Sequence, residues 1–135
     1  METSQFRILV LDNFDPWRRF VSSALQARPD LHLAGQAKDG VEGIQKASEL
    51  RPDLVLLDIR LPHVDGLRVA KFIRKALPDA RILFATHDHD AELVSAAFRD
   101  GAHGYLLKPD AATELLPAID AVLRGEKFVS ARVNR

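Results

Sequence analysis

A single α/β domain, with a five-stranded parallel sheet and five helices on both faces, is what this 135-residue sequence predicts. Three observations predict it. Short apolar runs alternate five times with segments of helical spacing. Each helical segment carries one apolar stripe, as a helix packed on a sheet must. The chain has the length of one ordinary domain, and its 47% hydrophobic content fills one sizeable core.

The first strand, 6–11, stops at Asp12-Asn13. Asp15 then reads as a helix N-cap and Pro16 as the first helical residue. In that helix Phe20, Val21, Ala24 and Leu25 form the stripe, Trp17 falls on the first turn, and Arg18 and Arg19 read as a solvated face. The second strand, 31–34, leads to a helix striped by Val41, Ile44 and Ala47. The third, 54–57, ends on Asp58, and the helix beyond it buries Leu67, Ala70, Ile73 and Leu77. The fourth, 82–85, ends on Thr86; Asp88 or Asp90 caps a helix striped by Leu93, Val94, Ala97 and Phe98, which Gly101 closes. The fifth, 105–107, ends on Lys108, before a helix carrying Leu115, Ala118, Ile119 and Val122 and closed by Gly125. Pro117 is placed near the first turn of that helix, where a missing N–H is harmless. Residues 126–135 break the helical period and read as a terminal tail packed by Phe128 and Val129, or as the start of a linker.

Composition removes several classes of function. With 19 basic and 19 acidic residues there is no global charge to attract nucleic acid or an anionic membrane. The absence of cysteine excludes a disulfide scaffold, thiol catalysis and a thiolate metal site, and suits a reducing compartment. No apolar run approaches the roughly 20 residues of a membrane span. The N-terminal "METSQFR" lacks the order of a secretion signal, so a cytoplasmic protein is expected.

In an open parallel sheet, ligands bind at the carboxyl ends of the strands. Those ends carry Asp12-Asn13, Asp58, Thr86 and Lys108. Alone, each has an ordinary explanation as a turn residue, cap or solvated charge. Together they make a place for a hard divalent cation and for an anionic oxygen group held between cation and lysine. "THDHD", with His87 and His89, contains the residue types of a transition-metal site, but a polar loop with a capping Asp accounts for the same letters. A hydrolase would need a second nucleophile or a general base that the sequence does not supply.

These residues resemble the receiver domain of bacterial two-component response regulators. The most specific stretch is "DLVLLDIRLPHVDG", where Asp58, Pro62, Asp65 and Gly66 stand in the family's pattern; "FATHD" supplies Thr86, and "GYLLKP" supplies Tyr105, Lys108 and Pro109. The resemblance covers residues 6–124, making 1–125 the receiver domain. The tail "GEKFVS" resembles the sequence that follows the receiver in LuxR-type (NarL/FixJ) transcription regulators. By analogy the strand order is 2-1-3-4-5, the flavodoxin-like arrangement of CheY-type domains.

The resemblance implies a switch rather than an enzyme. Asp58 would accept phosphate from a sensor histidine kinase or a small acyl phosphate, with magnesium held by Asp58, Asp12, Asn13 and the backbone carbonyl of Arg60. Lys108 and Thr86 would contact the phosphoryl oxygens, and Tyr105 would follow Thr86, reshaping the face of the fourth helix, fifth strand and fifth helix for a partner or a homodimer. Arg60, His87 and Asp88 stand where the family tunes access and phosphoryl lifetime. DNA would be reached only through an output domain outside this chain.

Asn13 departs from the family, which usually has a second acid there. Two unit charges about 4 Å apart interact by roughly 1–4 kcal/mol in water-like to surface-like surroundings. The substitution therefore weakens cation binding, and a pseudo-receiver that keeps the fold as a phosphorylation-independent interaction module is the alternative.

Overall fold

The computed structural model describes residues 5–134. The chain runs β1 (Phe6–Leu11), α1 (Asp15–Gln26), β2 (Leu31–Ala37), α2 (Gly40–Leu50), β3 (Leu54–Leu57), α3 (Gly66–Ala76), β4 (Arg81–Thr86), α4 (Ala91–Arg99), β5 (Gly104–Leu107), α5 (Ala111–Leu123) and β6 (Phe128–Val129). Short 3-10 turns occupy Lys108–Asp110 and Ala131–Asn134. All strand pairs are parallel, in the order β2-β1-β3-β4-β5-β6.

Alternation along the strands divides the core between the two faces. Ile8 and Val10 of β1, with Leu54 and Leu56 of β3, point to a layer formed by Val21 and Leu25 of α1 and Leu115 and Ile119 of α5. Leu9, Leu11, Val55 and Leu57 point the other way, onto Val69 and Ile73 of α3 and Ala97 of α4. Both faces are covered, so the middles of the inner strands are apolar, and β3, Leu54–Leu57, is apolar and buried throughout.

Four local expectations are corrected. The sheet has six strands rather than five: the tail contributes β6, in register with Gly104 and Tyr105. Asp15 is not the N-cap; Phe14 is, without a side-chain bond, and Asp15 and Pro16 are the first two helical residues. Pro117 lies in the middle of α5. It sits on the exposed face, where water can reach the carbonyl its ring leaves without a donor. β2 runs past Gly35 and Gln36 to Ala37, because an edge strand tolerates half-exposed polar positions.

The glycine stops are as expected. Gly101 and Gly125 have φ of 106° and 86° and stand just beyond α4 and α5. At α5 the Gly125 amide donates to the Val122 carbonyl at 3.0 Å and the Glu126 amide to Ala121 at 2.9 Å, the paired bonds of a left-handed helix stop.

Candidate functional site

The topological switch point lies between β1 and β3, whose following connections leave in opposite directions along the sheet. Asp12 and Asp58 emerge there side by side, with the Asp58 amide donating to the Leu11 carbonyl at 3.1 Å. Lys108, at the end of β5, reaches back between them: its ammonium nitrogen is 2.7 Å from Asp12 Oδ2 and 3.0 Å from Asp58 Oδ2. The same nitrogen lies 5.1 Å from the centroid of the Trp17 ring. Trp17 therefore borders the pocket from α1, and its aromatic face adds a cation–π contact.

Asp12 is the buried acid, at 2% exposure. One oxygen accepts the Phe14 amide at 2.9 Å. The other, Oδ2, is buried and faces the Lys108 ammonium at 2.7 Å. Burial pushes the Asp12 carboxyl above its ordinary range, against the pull of Lys108 and the Phe14 amide. Asp58 is more open, and its Oδ1 receives only a long bond of 3.3 Å from the Arg60 amide.

These donors fit a hard divalent cation. Asp12 offers the oxygen that faces Lys108, Asp58 an open one, Asn13 an exposed amide carbonyl and Arg60 its backbone oxygen, an all-oxygen set of the kind magnesium takes. The charge is sparse, however: among the described residues no three His, Cys, Asp or Glu side chains gather to hold a metal. Asp15, the nearest further acid in sequence, turns away to Arg18 at 2.8 Å and Arg19 at 3.3 Å.

The loop after β3 is shaped by Gly66. A Cβ there would stand 2.1 Å from the Asp58 carbonyl oxygen, so no other residue lets α3 start so close to the phosphoacceptor candidate. Its amide donates to the Ile59 carbonyl at 2.7 Å, and Asp65 caps α3 through the Arg68 amide at 3.1 Å.

On the opposite wall, Asp88 collects three partners. Its carboxylate takes a two-pronged bond from the Arg60 guanidinium, at 3.0 and 3.2 Å, and the Thr86 hydroxyl at 3.3 Å. Its backbone carbonyl accepts the Tyr105 hydroxyl at 2.6 Å. Arg60 holds the Asp88 carboxyl below its usual range, and burial raises the Tyr105 phenol well above its own. Tyr105 is thus fully buried, packed near Phe84, and Thr86 faces Asp88 rather than Asp58. In "THDHD", Asp90 is the helix cap, accepting the Glu92 and Leu93 amides, while His87 and His89 are exposed.

Arg18 corrects the expectation of a solvated face. It is 7% exposed, and its guanidinium donates to the Asp12 backbone carbonyl at 2.6 Å and to Asp15 at 2.8 Å. The available signal was Asp15 three residues earlier, a spacing that joins side chains on one helix face.

A doubly wound parallel sheet with an acid pair and a lysine at its switch point defines a flavodoxin-like domain. The chain belongs to the response regulator receiver domain family, whose model matches residues 8–120. It is 38% identical over 119 residues to the transcriptional regulatory protein LnrK of Bacillus subtilis, covering 88% of this chain and 54% of that protein. It therefore spans about half of that relative's length. A LuxR-family two-component response regulator from Aurantimonas superposes with a TM-score of 0.91 at 30% identity, covering 97% of this chain and 94% of the other. The receiver domain of the putative response regulator NarL from Mycobacterium tuberculosis gives 0.86 at 31% identity, covering 91% and 99%.

Proposed function

We propose that this receiver domain is a phosphorylation switch in which Asp58 accepts a phosphoryl group from a phosphohistidine of a sensor kinase. An Asp58 oxygen attacks phosphorus, the P–N bond breaks, and the departing imidazole keeps the bonding electrons and takes a proton. Bound magnesium would neutralise charge on the transferring oxygens. Asp12, Asn13, Asp58 and the Arg60 carbonyl would hold it. Lys108 would pass from Asp58 Oδ2 to a phosphoryl oxygen, and Thr86 would exchange Asp88 for another. The single observation that carries this reading is the Asp12–Lys108–Asp58 arrangement, two carboxylates gathered about one ammonium group at the switch point.

The output would run through the face of α4, β5 and α5, to a partner or a second copy, and in a longer regulator to transcription through a DNA-binding half. The sensor kinase is the upstream partner, and the action is that of a signalling protein rather than a turnover enzyme. Asn13, and the lack of a third acid at the pair among the described residues, favour one rival, a pseudo-receiver that works without phosphate.

Intact-mass analysis after treatment with acetyl phosphate and magnesium decides between them. The wild type is expected to gain one phosphate and Asp58→Asn none, while Asn13→Asp should bind magnesium about tenfold more tightly. A wild type that stays unlabelled while Asn13→Asp is labelled establishes the pseudo-receiver.

A further inference from the structure

The tail is fastened to the short turn that carries Lys108, and it grips that turn at both ends. The Ser130 amide donates to the Tyr105 carbonyl at 2.9 Å, the last backbone bond of the β5–β6 ladder. A parallel ladder would next take the Leu107 amide to the carbonyl of Ser130. Instead the Ser130 hydroxyl accepts it, at 2.8 Å, and the Ser130 carbonyl is freed to accept the Val133 amide at 2.9 Å as the chain turns away. Ser130 is completely buried, and its hydroxyl donates in turn to Glu114 of α5 at 2.5 Å. Beyond Lys108 comes Pro109, which has no N–H, so the Leu107 amide is the final backbone donor of β5 before the lysine. At the far end of the turn, the Asp110 carboxylate is held by the Arg132 guanidinium.

We infer that Ser130 is a positioning residue for Lys108: the tail is a structural part of the pocket, fixing the end of β5 so that the ammonium group stands between Asp12 and Asp58 and over Trp17. A hydroxyl is required because it accepts from Leu107 and donates to Glu114 at the same time. An aliphatic side chain there would leave the buried Leu107 N–H without its acceptor and the half-buried Glu114 carboxylate without its donor. The consequence for phosphorylation rests on the proposed phosphoacceptor role, but the position of Lys108 does not.

Trp17, the chain's only tryptophan, reads that position directly in the intact protein. Lys108→Met gives the emission of Trp17 without its ammonium neighbour. Ser130→Ala is expected to move Trp17 emission towards that value without magnesium or phosphate, and to slow acetyl phosphate uptake about tenfold, as small misplacements of a reacting group do. Ser130→Thr and Ser130→Val, nearly equal in shape, provide the second comparison should the alanine variant fold poorly by circular dichroism: the threonine variant should resemble wild type and the valine variant Lys108→Met. Equal Trp17 emission in the threonine and valine variants overturns the inference, as does a Ser130→Ala protein that merely melts earlier with emission unchanged. A wild type that takes up no phosphate overturns the phosphoacceptor reading alone, since the emission series still decides the role of Ser130.

Discussion

Arginines close both loops beside Asp58, and the two closures are of opposite kinds. Arg18 is buried and bonds the backbone carbonyl of Asp12, an acceptor fixed in the main chain. Arg60 is 71% exposed and bonds the carboxylate of Asp88, a side chain shared with the Thr86 hydroxyl. The acid wall of the pocket is therefore set when the protein folds. The hydroxyl wall is held by surface contacts that a bound anion can match, because an exposed ion pair contributes little net free energy. The proposed switch requires both: a fixed place for the cation and a loop able to respond to new charge.

The largest test of that difference is Arg18→Met. Removing a buried guanidinium leaves the Asp12 carbonyl without its donor and Asp15 with Arg19 alone, a loss of roughly 2–3 kcal/mol. For a domain of this size that lowers Tm by about 5–10 °C. Trp17, beside the proposed cation pocket, is expected to change its emission on titration with magnesium; that response should weaken in Arg18→Met and recover only in part in Arg18→Lys, since one ammonium group cannot reach both acceptors as a fork does. Unchanged Tm and cation response in Arg18→Met would mean that the acid wall does not depend on this arginine.

Arg60→Ala should behave otherwise. Tm is expected to stay at the wild-type value, while amide exchange at residues 87–89 speeds up and Thr86 is released from a carboxylate that Arg60 had fixed. High salt should imitate the substitution in wild type, because an exposed pair is screened. A large drop in Tm would place Arg60 in the same category as Arg18 and erase the contrast.

A smaller effect, at the other end of β4 and β5, serves as the control. His103 Nδ1 accepts the Ile82 amide at 2.9 Å, and burial, with Arg74 and Arg81 nearby, lowers its pKa from 6.5. Below pH 6.5 the unfolded chain takes up this proton before the folded one does, so its contribution to stability is complete above 6.5 and declines as pH falls through the lower folded pKa. A shallow fall in Tm on acidification, flattened in His103→Gln, should leave the Trp17 signal of the pocket untouched.

The parts of the structure that were legible in the sequence are those governed by local period. Strands β1 and β3 fall where their apolar runs place them, Asp90 and the two glycines stop and start helices as expected, and Trp17 adjoins the pocket. What was not legible depends on partners distant in sequence. Arg18 looked solvated because its acceptor is a carbonyl, which no sequence displays. Residues 128–129 looked like a tail because a two-residue strand has no periodicity, and only the open edge of β5 gives it a place. Pro117 was shifted to the first turn because interior prolines are costly, yet solvent on one face makes this one tolerable. Thr86 and Tyr105 fall in the expected part of the fold, but their bonds to Asp88 depend on a loop conformation that local pattern does not encode.

The sixth strand has one more consequence, for self-association. Without it the outer strand of the sheet would be Gly104–Leu107, four buried residues with no charge among them. An uncovered strand of that composition is a template on which another chain can pair. The border is moved instead to a strand only two residues long, preceded by Lys127 and followed after Ser130 by the turn that carries Arg132. A short, charged edge is a poor template. Loss of these residues by proteolysis would therefore expose an adhesive edge.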